Sequence, residues 1–339
     1  MDGKPTTNGN KKNDLAQQYG GSHTGGWVAR LPAAWIPFVQ LARLSPPAGL
    51  FLIYLPHFFG ILHAAIIQRS SLSKVLQACL LCLGGSFFLS NAAHAWNDIV
   101  DSPIDKAVAR TSKRPIPRGA ISPRAAFIFT LTQAAGAAVF LLPLPRESAF
   151  YALAYIGVTM YYPWAKRHTN LAQFVLGFCL AWGVFMGSSA IGFKPFNISK
   201  GQEPFWVEGS SACLFLACIL WTVIYDTIYA HQDIRDDTKL GLKSLAVLFR
   251  ERTKSLLWLL LCCMLTLLVA SGKLAGMGPQ YFVIAVGGCL SSLGMMIHKV
   301  ELRESSSCWW WFRYGFWLAE CCFEEPWLVM HQEHGYADR

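Results

Sequence analysis

Apolar stretches of nearly membrane-spanning length recur along the chain and are separated by short polar connections. A helix needs about 20 apolar residues to cross a hydrocarbon core of about 30 Å, and flanking aromatic residues can complete a shorter stretch. The stretch LFLIYLPHFFGILHAAII shows none of the polar stripes that mark the helices of soluble proteins. The pattern therefore predicts an all-α, multi-pass transmembrane bundle with eight clear helices. Their approximate positions are 46–67, 75–96, 125–144, 148–163, 171–193, 212–230, 256–271 and 280–297.

The two ends of the chain break this pattern. Residues 1–40 are polar, Gly-rich and without periodicity, which predicts a disordered cytosolic tail. Residues 41–319 are predicted to form one membrane domain. Three acids and a proline then interrupt the ninth apolar run, so we interpret the ninth helix as disrupted and residues 320–339 as an atypical tail. These interrupting residues are Glu320, Glu324, Glu325 and Pro326.

The composition agrees with a membrane protein. Charged residues make up 14% of the chain, against about 25% in a typical soluble domain, and 53% of the residues are hydrophobic. The loops after the even-numbered helices carry sixteen Lys and Arg residues, whereas those after the odd-numbered helices carry six. Because strongly positive loops stay in the cytosol, the first set of loops is predicted to be cytosolic. The net charge of +9 therefore requires no nucleic-acid partner.

Two groups of polar residues follow the second and the sixth apolar stretch at matching spacing. Members of each group are four residues apart, so on a helix they drift by only about 40° per step and share one face. A single D-x3-D pattern is usually a solvated surface face. Carboxylates at a membrane boundary are costly unless they are paired, solvated or bound to a metal, so their recurrence indicates a site. The groups are Asn97, Asp101 and Asp105, and Tyr229, Asp233 and Asp237.

Cations follow each acidic group on the same predicted side of the membrane. Carboxylate oxygens without His or Cys suit Mg²⁺, which usually combines one or two carboxylates with phosphate oxygens. Positive side chains next to them can stabilise a departing phosphate oxyanion. Together the two features predict a Mg²⁺-dependent diphosphate site, although a basic loop alone is more often only a topology signal. The basic candidates are Arg110, Arg114, Lys166 and Lys243.

Pro103 lies between two of the acids and predicts a break in the second helix. A proline inside a helix removes one hydrogen bond and clashes with the carbonyl four residues earlier. We therefore expect the helix to end near Asp101 and a new one to begin with Ser102 as N-cap and Asp105 at the third position. In that arrangement Asp105 could be only a helix-capping residue, and the alternative is a ligand positioned by the short second helix.

Three stretches of the chain resemble the UbiA family of intramembrane prenyltransferases. They are NDIVDSPIDKAVARTSKRPIPRGAIS, YYPWAKRHTNLAQFVLG and YDTIYAHQDIRDDTKLGLKSLAVLF, and LARLSPPAGLFLIYLP resembles the first helix of the family. The resemblance covers about residues 40–300, with both acidic groups and the intervening YPxxKRxT pattern in the order of the family. It implies a bundle of about nine transmembrane helices around a central cavity.

The resemblance also implies the reaction and its partners. Mg²⁺ and a prenyl diphosphate would bind to the four aspartates, with Asn97 and Tyr229 in support, and an aromatic ring would attack the allylic cation that forms. Membrane lipid surrounds the protein, and no obligate protein partner is expected. The aspartates implied as catalytic and metal-binding are Asp101, Asp105, Asp233 and Asp237.

Departures from the family pattern bear on the substrate and the compartment. Ser45 and Pro46 stand where ubiquinone-pathway enzymes commonly have Asp-Lys, Ala172 replaces a proline, and no transit-peptide pattern opens the chain. These features favour transfer of a farnesyl group to a phenolic polyketide in meroterpenoid biosynthesis, in the endoplasmic reticulum or another endomembrane. The alternative is a 4-hydroxybenzoate polyprenyltransferase of ubiquinone biosynthesis in the mitochondrial inner membrane. Arg43 is the candidate partner for an acceptor carboxylate or phenol.

A membrane transporter with an acidic ion site is a third interpretation. Such sites tend to lie near the bilayer midplane on broken helices. Here every aspartate of the two groups follows the end of an apolar stretch, which favours the enzyme.

Overall fold

Helices follow one another through most of the chain, interrupted by one short hairpin. The computed structural model describes residues 20–22, 24–197 and 206–314. The first helices are α1 (Ile36–Leu41), α2 (Ala48–Gln68), α3 (Leu72–Asp105), α4 (Pro123–Leu141), α5 (Glu147–His168), α6 (Ala172–Ala181) and α7 (Gly183–Ala190). A hairpin then pairs β1 (Phe196–Asn197) antiparallel with β2 (Trp206–Val207). The remaining helices are α8 (Gly209–Ala230), α9 (Ile234–Lys239), α10 (Leu245–Phe249), α11 (Thr253–Leu274), α12 (Pro279–Tyr281), α13 (Gly288–Lys299) and α14 (Ser305–Tyr314).

Shorter helical turns join several of these elements. Tight 3₁₀ turns occur at Gly26–Arg30, Thr111–Lys113, His231–Asp233 and Arg250–Arg252, and a π-helical turn at Phe282–Gly287 joins α12 to α13. Since the turn at His231–Asp233 is short, α8 and α9 form an almost continuous rod that ends in the second acidic group.

The predicted all-α membrane bundle is confirmed. Each of the eight predicted stretches is helical, and α6 and α7 together form the fifth. Seven segments of the described chain are long and apolar enough to cross a membrane. Helix α5 has 22 residues but polar ends, and it is not among the seven. The seven segments are Ala48–Gln68, Leu72–Asp105, Pro123–Leu141, Ala172–Ala190, Gly209–Lys239, Leu245–Leu274 and Pro279–Lys299.

The ninth helix begins at α14, whose ten residues Ser305–Tyr314 are the last that the structure describes. The predicted disruption by the acids from Glu320 onward lies outside the described residues. At the other end, part of the segment predicted to be disordered is helical. Residues 26–30 form a 3₁₀ turn and α1 begins at Ile36, with Val28 and Leu41 fully buried.

The predicted break at Pro103 is wrong, because α3 runs without interruption from Leu72 to Asp105. Pro103 lies in the last turn, where a missing N–H costs a single backbone bond. The turn keeps its own bond from Lys106 N to Ser102 O at 3.3 Å, and from outside the helix Thr111 Oγ1 donates to Asp105 O at 3.1 Å. Because the helix continues, Asp101 and Asp105 stay on one face, as their spacing predicts.

The centre of the bundle forms around α8 and α11, whose facing side chains Val223, Ile224, Leu257 and Leu261 are fully buried. At the periphery, α4 presents large apolar side chains to the outside, among them Leu131 at 53% exposure. An outward face of this kind is stable in lipid, where the surroundings are as apolar as the side chains themselves.

Small residues set the closest helix contacts. A Cβ added to Gly60 of α2 would lie 2.1 Å from the carbonyl oxygen of Val184 in α7, and one added to Gly187 would lie 2.0 Å from that of His57. Only glycine allows this backbone approach. Between α3 and α4 the phenyl ring of Phe140 occupies the space that a Cβ on Gly84 would need.

Candidate functional site

A cavity of about 240 Å³ opens between the C-terminal ends of α3, α5 and α8. All eleven site residues predicted from the sequence line it. They come from separate parts of the chain, since the α1–α2 connection contributes Arg43, α3 contributes one acidic group, and the α8–α9 rod contributes the other. The eleven are Arg43, Asn97, Asp101, Asp105, Arg110, Arg114, Lys166, Tyr229, Asp233, Asp237 and Lys243.

Asp101 is the best-connected carboxylate of the first group. It is buried, and its Oδ2 accepts hydrogen bonds from Lys166 Nζ at 2.7 Å and from Asn97 Nδ2 at 3.2 Å. Arg167 Nη2 lies 3.6 Å from the other oxygen, Oδ1. The end of α5 therefore neutralises an acid of α3, and Asn97 has the supporting position that was predicted for it.

Asp105 pairs with Arg114 of the following loop, whose Nη1 donates to its Oδ2 at 2.8 Å. The same nitrogen donates to Oδ1 of Asp98 at 3.1 Å, and Arg43 Nη2 donates to that oxygen at 2.6 Å. Burial alone would lower the pKa of Arg114, but the carboxylates of Asp105 and Asp98 raise it above its ordinary value. Arg114 is therefore a permanent cation at the cavity wall.

Arg110 connects the loop after α3 to the second acidic group on the α8–α9 rod. Its Nε donates to Asp233 Oδ1 at 2.9 Å, its Nη2 to Oδ2 at 2.5 Å, and its Nη1 to the hydroxyl of Tyr229 at 2.8 Å. Burial acts to lower the pKa of Arg110, but the neighbouring Asp233 raises it above the usual range. Tyr229 is packed from its other side by Phe312 of α14, with 4.5 Å between the ring centroids.

Asp237, the last member of the second group, and the nearby Lys243 lie at the rim of the cavity. Asp237 is half-buried, and within the described residues no Lys or Arg nitrogen lies at ion-pair distance from its carboxylate. Lys243 is exposed, and its Nζ donates to the carbonyl of His168 at 3.2 Å. Its backbone N–H donates to the carbonyl of Lys166 at 2.8 Å, so this loop is fixed to the end of α5.

Sequence reasoning missed three cavity or wall residues. Asp226 lines the cavity from α8 and lies seven residues before Asp233, a spacing that returns to the same helix face. That spacing, and the position of an acid inside an apolar helix, could have indicated it. Tyr162 also lines the cavity. Asp98 is fully buried behind the wall, and no sequence pattern indicates its two arginine partners.

The oxygen-rich wall suits a hard cation. In the part of the chain that is described, no three Asp, Glu, His or Cys side chains are close enough together to hold a metal ion on their own. Mg²⁺ does not need such a cage, because it usually takes one or two carboxylates and completes its shell with water and phosphate oxygens. Oδ1 of Asp101 is buried and accepts no hydrogen bond from the described part of the chain, so it retains lone pairs for a ligand. The residues therefore fit Mg²⁺ bound together with a diphosphate.

An apolar chamber of about 400 Å³ adjoins the charged cavity. It lies between α3, α4 and α5 and extends along α3 from Trp96 to Leu81. With a rise of 1.5 Å per residue, that interval corresponds to about 22 Å of helix. Ala93, Tyr155 and Thr159 line both spaces, so the chamber begins where the charged cavity ends.

Comparisons with known proteins show the family of the chain. Residues 55–319 match the model of the UbiA prenyltransferase family. The chain is 34% identical over 295 residues to Prenyltransferase stbC of Stachybotrys bisbyi, and this alignment covers 86% of each chain. It is also 34% identical over 290 residues to the mitochondrial 4-hydroxybenzoate polyprenyltransferase of Saccharomyces cerevisiae, covering 85% of this chain and 74% of that one.

A solved structure has the same fold. It is the UbiA homolog from Archaeoglobus fulgidus bound to GPP and Mg²⁺, with a TM-score of 0.60 and 19% sequence identity over 83% of this chain and 99% of that one. At this identity the similarity concerns the fold, and the chemistry must be argued from the residues of the present cavity.

Proposed function

Because this chain belongs to the UbiA prenyltransferase family, and is therefore a membrane-embedded prenyltransferase, we propose that it transfers a prenyl group from a prenyl diphosphate to a phenolic acceptor. The observation that carries the proposal is the juxtaposition of two spaces. A cavity lined by five carboxylates and several permanent cations adjoins an apolar chamber, and the two share Ala93, Tyr155 and Thr159. A prenyl diphosphate has the same two parts, a charged head and a hydrocarbon chain.

The charged cavity would hold the diphosphate. Asp101, Asp105, Asp233 and Asp237 would bind Mg²⁺, which supplies positive charge that stabilises the leaving diphosphate. Without substrate, Arg110, Arg114 and Lys166 neutralise carboxylates of this wall. When the head group enters, these cations can donate to its oxygens instead, because each already lies at the cavity surface.

The reaction requires separation of charge in a site without water. The C1–O bond of the donor breaks, and both electrons of the bond leave with the diphosphate. The allylic cation takes an electron pair from the aromatic ring to form the new C–C bond. The ring then restores its aromaticity by losing a proton, which the released diphosphate can accept. The apolar chamber keeps water from the cation, and the faces of aromatic rings such as Tyr155 can stabilise its charge.

The acceptor is proposed to be a phenolic polyketide and the donor farnesyl diphosphate. Support comes from Ser45, Pro46 and Ala172, which differ from the residues common in ubiquinone-pathway enzymes, and from the similarity to Prenyltransferase stbC. The second candidate is 4-hydroxybenzoate, favoured by the relative from Saccharomyces cerevisiae and by the guanidinium of Arg43 at the cavity wall. The membrane is proposed to be an endomembrane, with the charged cavity on the cytosolic side and the mitochondrial inner membrane as the alternative.

The experiment is a matrix of donors and acceptors with the purified protein in lipid nanodiscs. Dimethylallyl, geranyl, farnesyl and geranylgeranyl diphosphate are each combined with resorcylate-type phenols and with 4-hydroxybenzoate, and products are identified by mass spectrometry. We expect the farnesylated resorcylate product. Prenylated 4-hydroxybenzoate as the preferred product would replace the polyketide proposal, and the absence of any prenylated phenol from every combination would contradict it.

A further inference from the structure

Asp98 is a fully buried carboxylate that does not line the charged cavity, although it lies directly behind its wall. Its Oδ1 accepts from Arg43 Nη2 at 2.6 Å and from Arg114 Nη1 at 3.1 Å. Both arginines do line the cavity. Asp98 is therefore in a position to act on a bound ligand only through these two cations.

Arg114 is shared between two carboxylates. The same Nη1 that donates to Asp98 also donates to Oδ2 of Asp105, at 2.8 Å. Asp98 and Asp105 are seven residues apart on α3, so the two acids lie on the same side of the helix with the guanidinium between them. Each of the two N–H groups on this nitrogen can serve one acid, so the position of the guanidinium is a compromise between the two carboxylates. Removing the charge of one acid therefore lets Arg114 move toward the other.

Asp98 depends on its two partners more than an exposed acid would. Its second oxygen, Oδ2, is buried and accepts no hydrogen bond from any residue that the structure describes. A buried carboxylate without a compensating charge is strongly unfavourable, so the ion pairs with Arg43 and Arg114 hold this part of the wall together. Arg43 belongs to the α1–α2 connection and lies 55 positions before Asp98, so the contact also fixes that connection to α3.

We propose that Asp98 is a positioning residue that draws Arg114 away from Asp105 and thereby leaves the Asp105 carboxylate available to Mg²⁺ and the diphosphate. The proposal rests on the proposed function of the cavity. Asp98 competes with Asp105 for Arg114, and Arg43 competes with Arg114 for Asp98. The three contacts form a chain in which a change at one end alters the charge available at the other.

This chain predicts opposite effects for two substitutions. In Asp98→Asn the side chain keeps its size but loses its charge, so Arg114 pairs with Asp105 alone. More Mg²⁺ is then needed to bind the donor. In Arg43→Gln, Arg114 becomes the main partner of the Asp98 carboxylate and moves away from Asp105 more readily. Less Mg²⁺ is then needed to bind the donor. The Mg²⁺ concentration needed for half-saturation should change about tenfold in each direction. Removal of a residue that hydrogen-bonds to a metal ligand typically has an effect of this size.

The test measures binding of radiolabelled farnesyl thiolodiphosphate, a donor analogue whose C–S bond resists ionisation, to full-length protein in nanodiscs. No acceptor is present, and Mg²⁺ is titrated. The variants are Asp98→Asn, Arg43→Gln, Arg114→Gln and the double variant Asp98→Asn/Arg114→Gln. Glu251→Gln, at an exposed surface ion pair with Arg303, is the control and should behave as wild type.

The half-saturating Mg²⁺ concentration should rise for Asp98→Asn and fall for Arg43→Gln, while the double variant should match Arg114→Gln alone. A general loss of structure would move both single variants in the same direction and lower their unfolding midpoints. Equal Mg²⁺ dependence of folded Asp98→Asn and wild type, or a rise that persists without Arg114, overturns the proposal. If Asp98→Asn does not fold, unchanged or increased Mg²⁺ demand in Arg43→Gln overturns it. Failure of the wild type itself to bind the analogue would instead overturn the proposed function.

Discussion

Arg110 and Asp233 form a two-pronged ion pair that connects the loop after α3 to the α8–α9 rod. Nε lies 2.9 Å from Oδ1 and Nη2 lies 2.5 Å from Oδ2, and the remaining Nη1 donates to Tyr229. A planar guanidinium matches a carboxylate in this way, and it matches a phosphate group equally well. The same side chain can therefore hold the loop after α3 against the α8–α9 rod when no substrate is bound, and can contribute to diphosphate binding when it is.

Replacing Arg110 by Gln should lower kcat/KM for the prenyl donor by about 10- to 100-fold. The estimate follows from hydrogen bonds to charged groups that are each worth about 1.5–3 kcal/mol. Arg110→Lys keeps the charge but loses the bidentate geometry, so it should recover only part of the activity. Steady-state kinetics with varied donor measure the effect.

The matched control for Arg110 is Arg303→Gln, which removes an exposed arginine paired with Glu251 on the protein surface. Exposed pairs of this kind contribute about 0–1 kcal/mol, so the control should keep its activity. A wild-type rate in Arg110→Gln would show that the ion pair with Asp233 has no part in donor binding.

Replacing Ala93 by Phe should reduce the length of prenyl chain that the enzyme accepts. Ala93 lines both the charged cavity and the apolar chamber, so a phenyl ring there obstructs the passage between them. The ratio of kcat/KM for the farnesyl donor to that for the dimethylallyl donor should fall at least about tenfold, since each methylene in an apolar pocket is worth about 1–3 kcal/mol.

Ala154→Phe is the control for this substitution, because Ala154 is on the exposed face of α5 and lines neither space. Its ratio should equal that of the wild type. If Ala93→Phe also leaves the ratio unchanged, then the hydrocarbon chain of the donor does not occupy the chamber.

Replacing Gly187 by Ala should destabilise the bundle by about 1–3 kcal/mol, the usual cost of overpacking. The new Cβ would lie 2.0 Å from the carbonyl oxygen of His57, so α2 and α7 must move apart. Gly157→Ala provides the control, because no atom of the described residues lies within 4 Å of a Cβ at that position. Unfolding in mixed micelles measures both. Equal stability of the two variants would contradict the close contact between α2 and α7.

The helices and the acidic faces could be predicted from the sequence, because both depend on local periodicity. A spacing of four places Asp101 and Asp105 on one face wherever α3 happens to lie. Asp233 ends the 3₁₀ turn before α9 and Asp237 lies within α9, and both line the cavity. Their meeting at one cavity follows once both helices end on the same side of the membrane.

Features that depend on tertiary contacts could not be predicted from the sequence. The continuation of α3 through Pro103 is supported by partners outside the helix, among them Thr111, which no local propensity describes. The partnership of Asp98 with Arg43 spans 55 positions and has no spacing rule. The apolar chamber is likewise formed by three helices whose mutual packing no single stretch of sequence specifies.

The central claim is that carboxylates of both acidic motifs, together with Mg²⁺, drive cleavage of a prenyl diphosphate and prenylation of a phenol. Its most direct test measures prenylated phenol and released diphosphate together, for wild type, Asp101→Asn and Asp233→Asn, in Mg²⁺ and in chelator. We predict one diphosphate per product for the wild type in Mg²⁺ and no turnover in chelator. Each variant should lose at least about 100-fold in rate while remaining in the membrane. Full turnover in chelator, or wild-type rates in both inserted variants, would contradict the account.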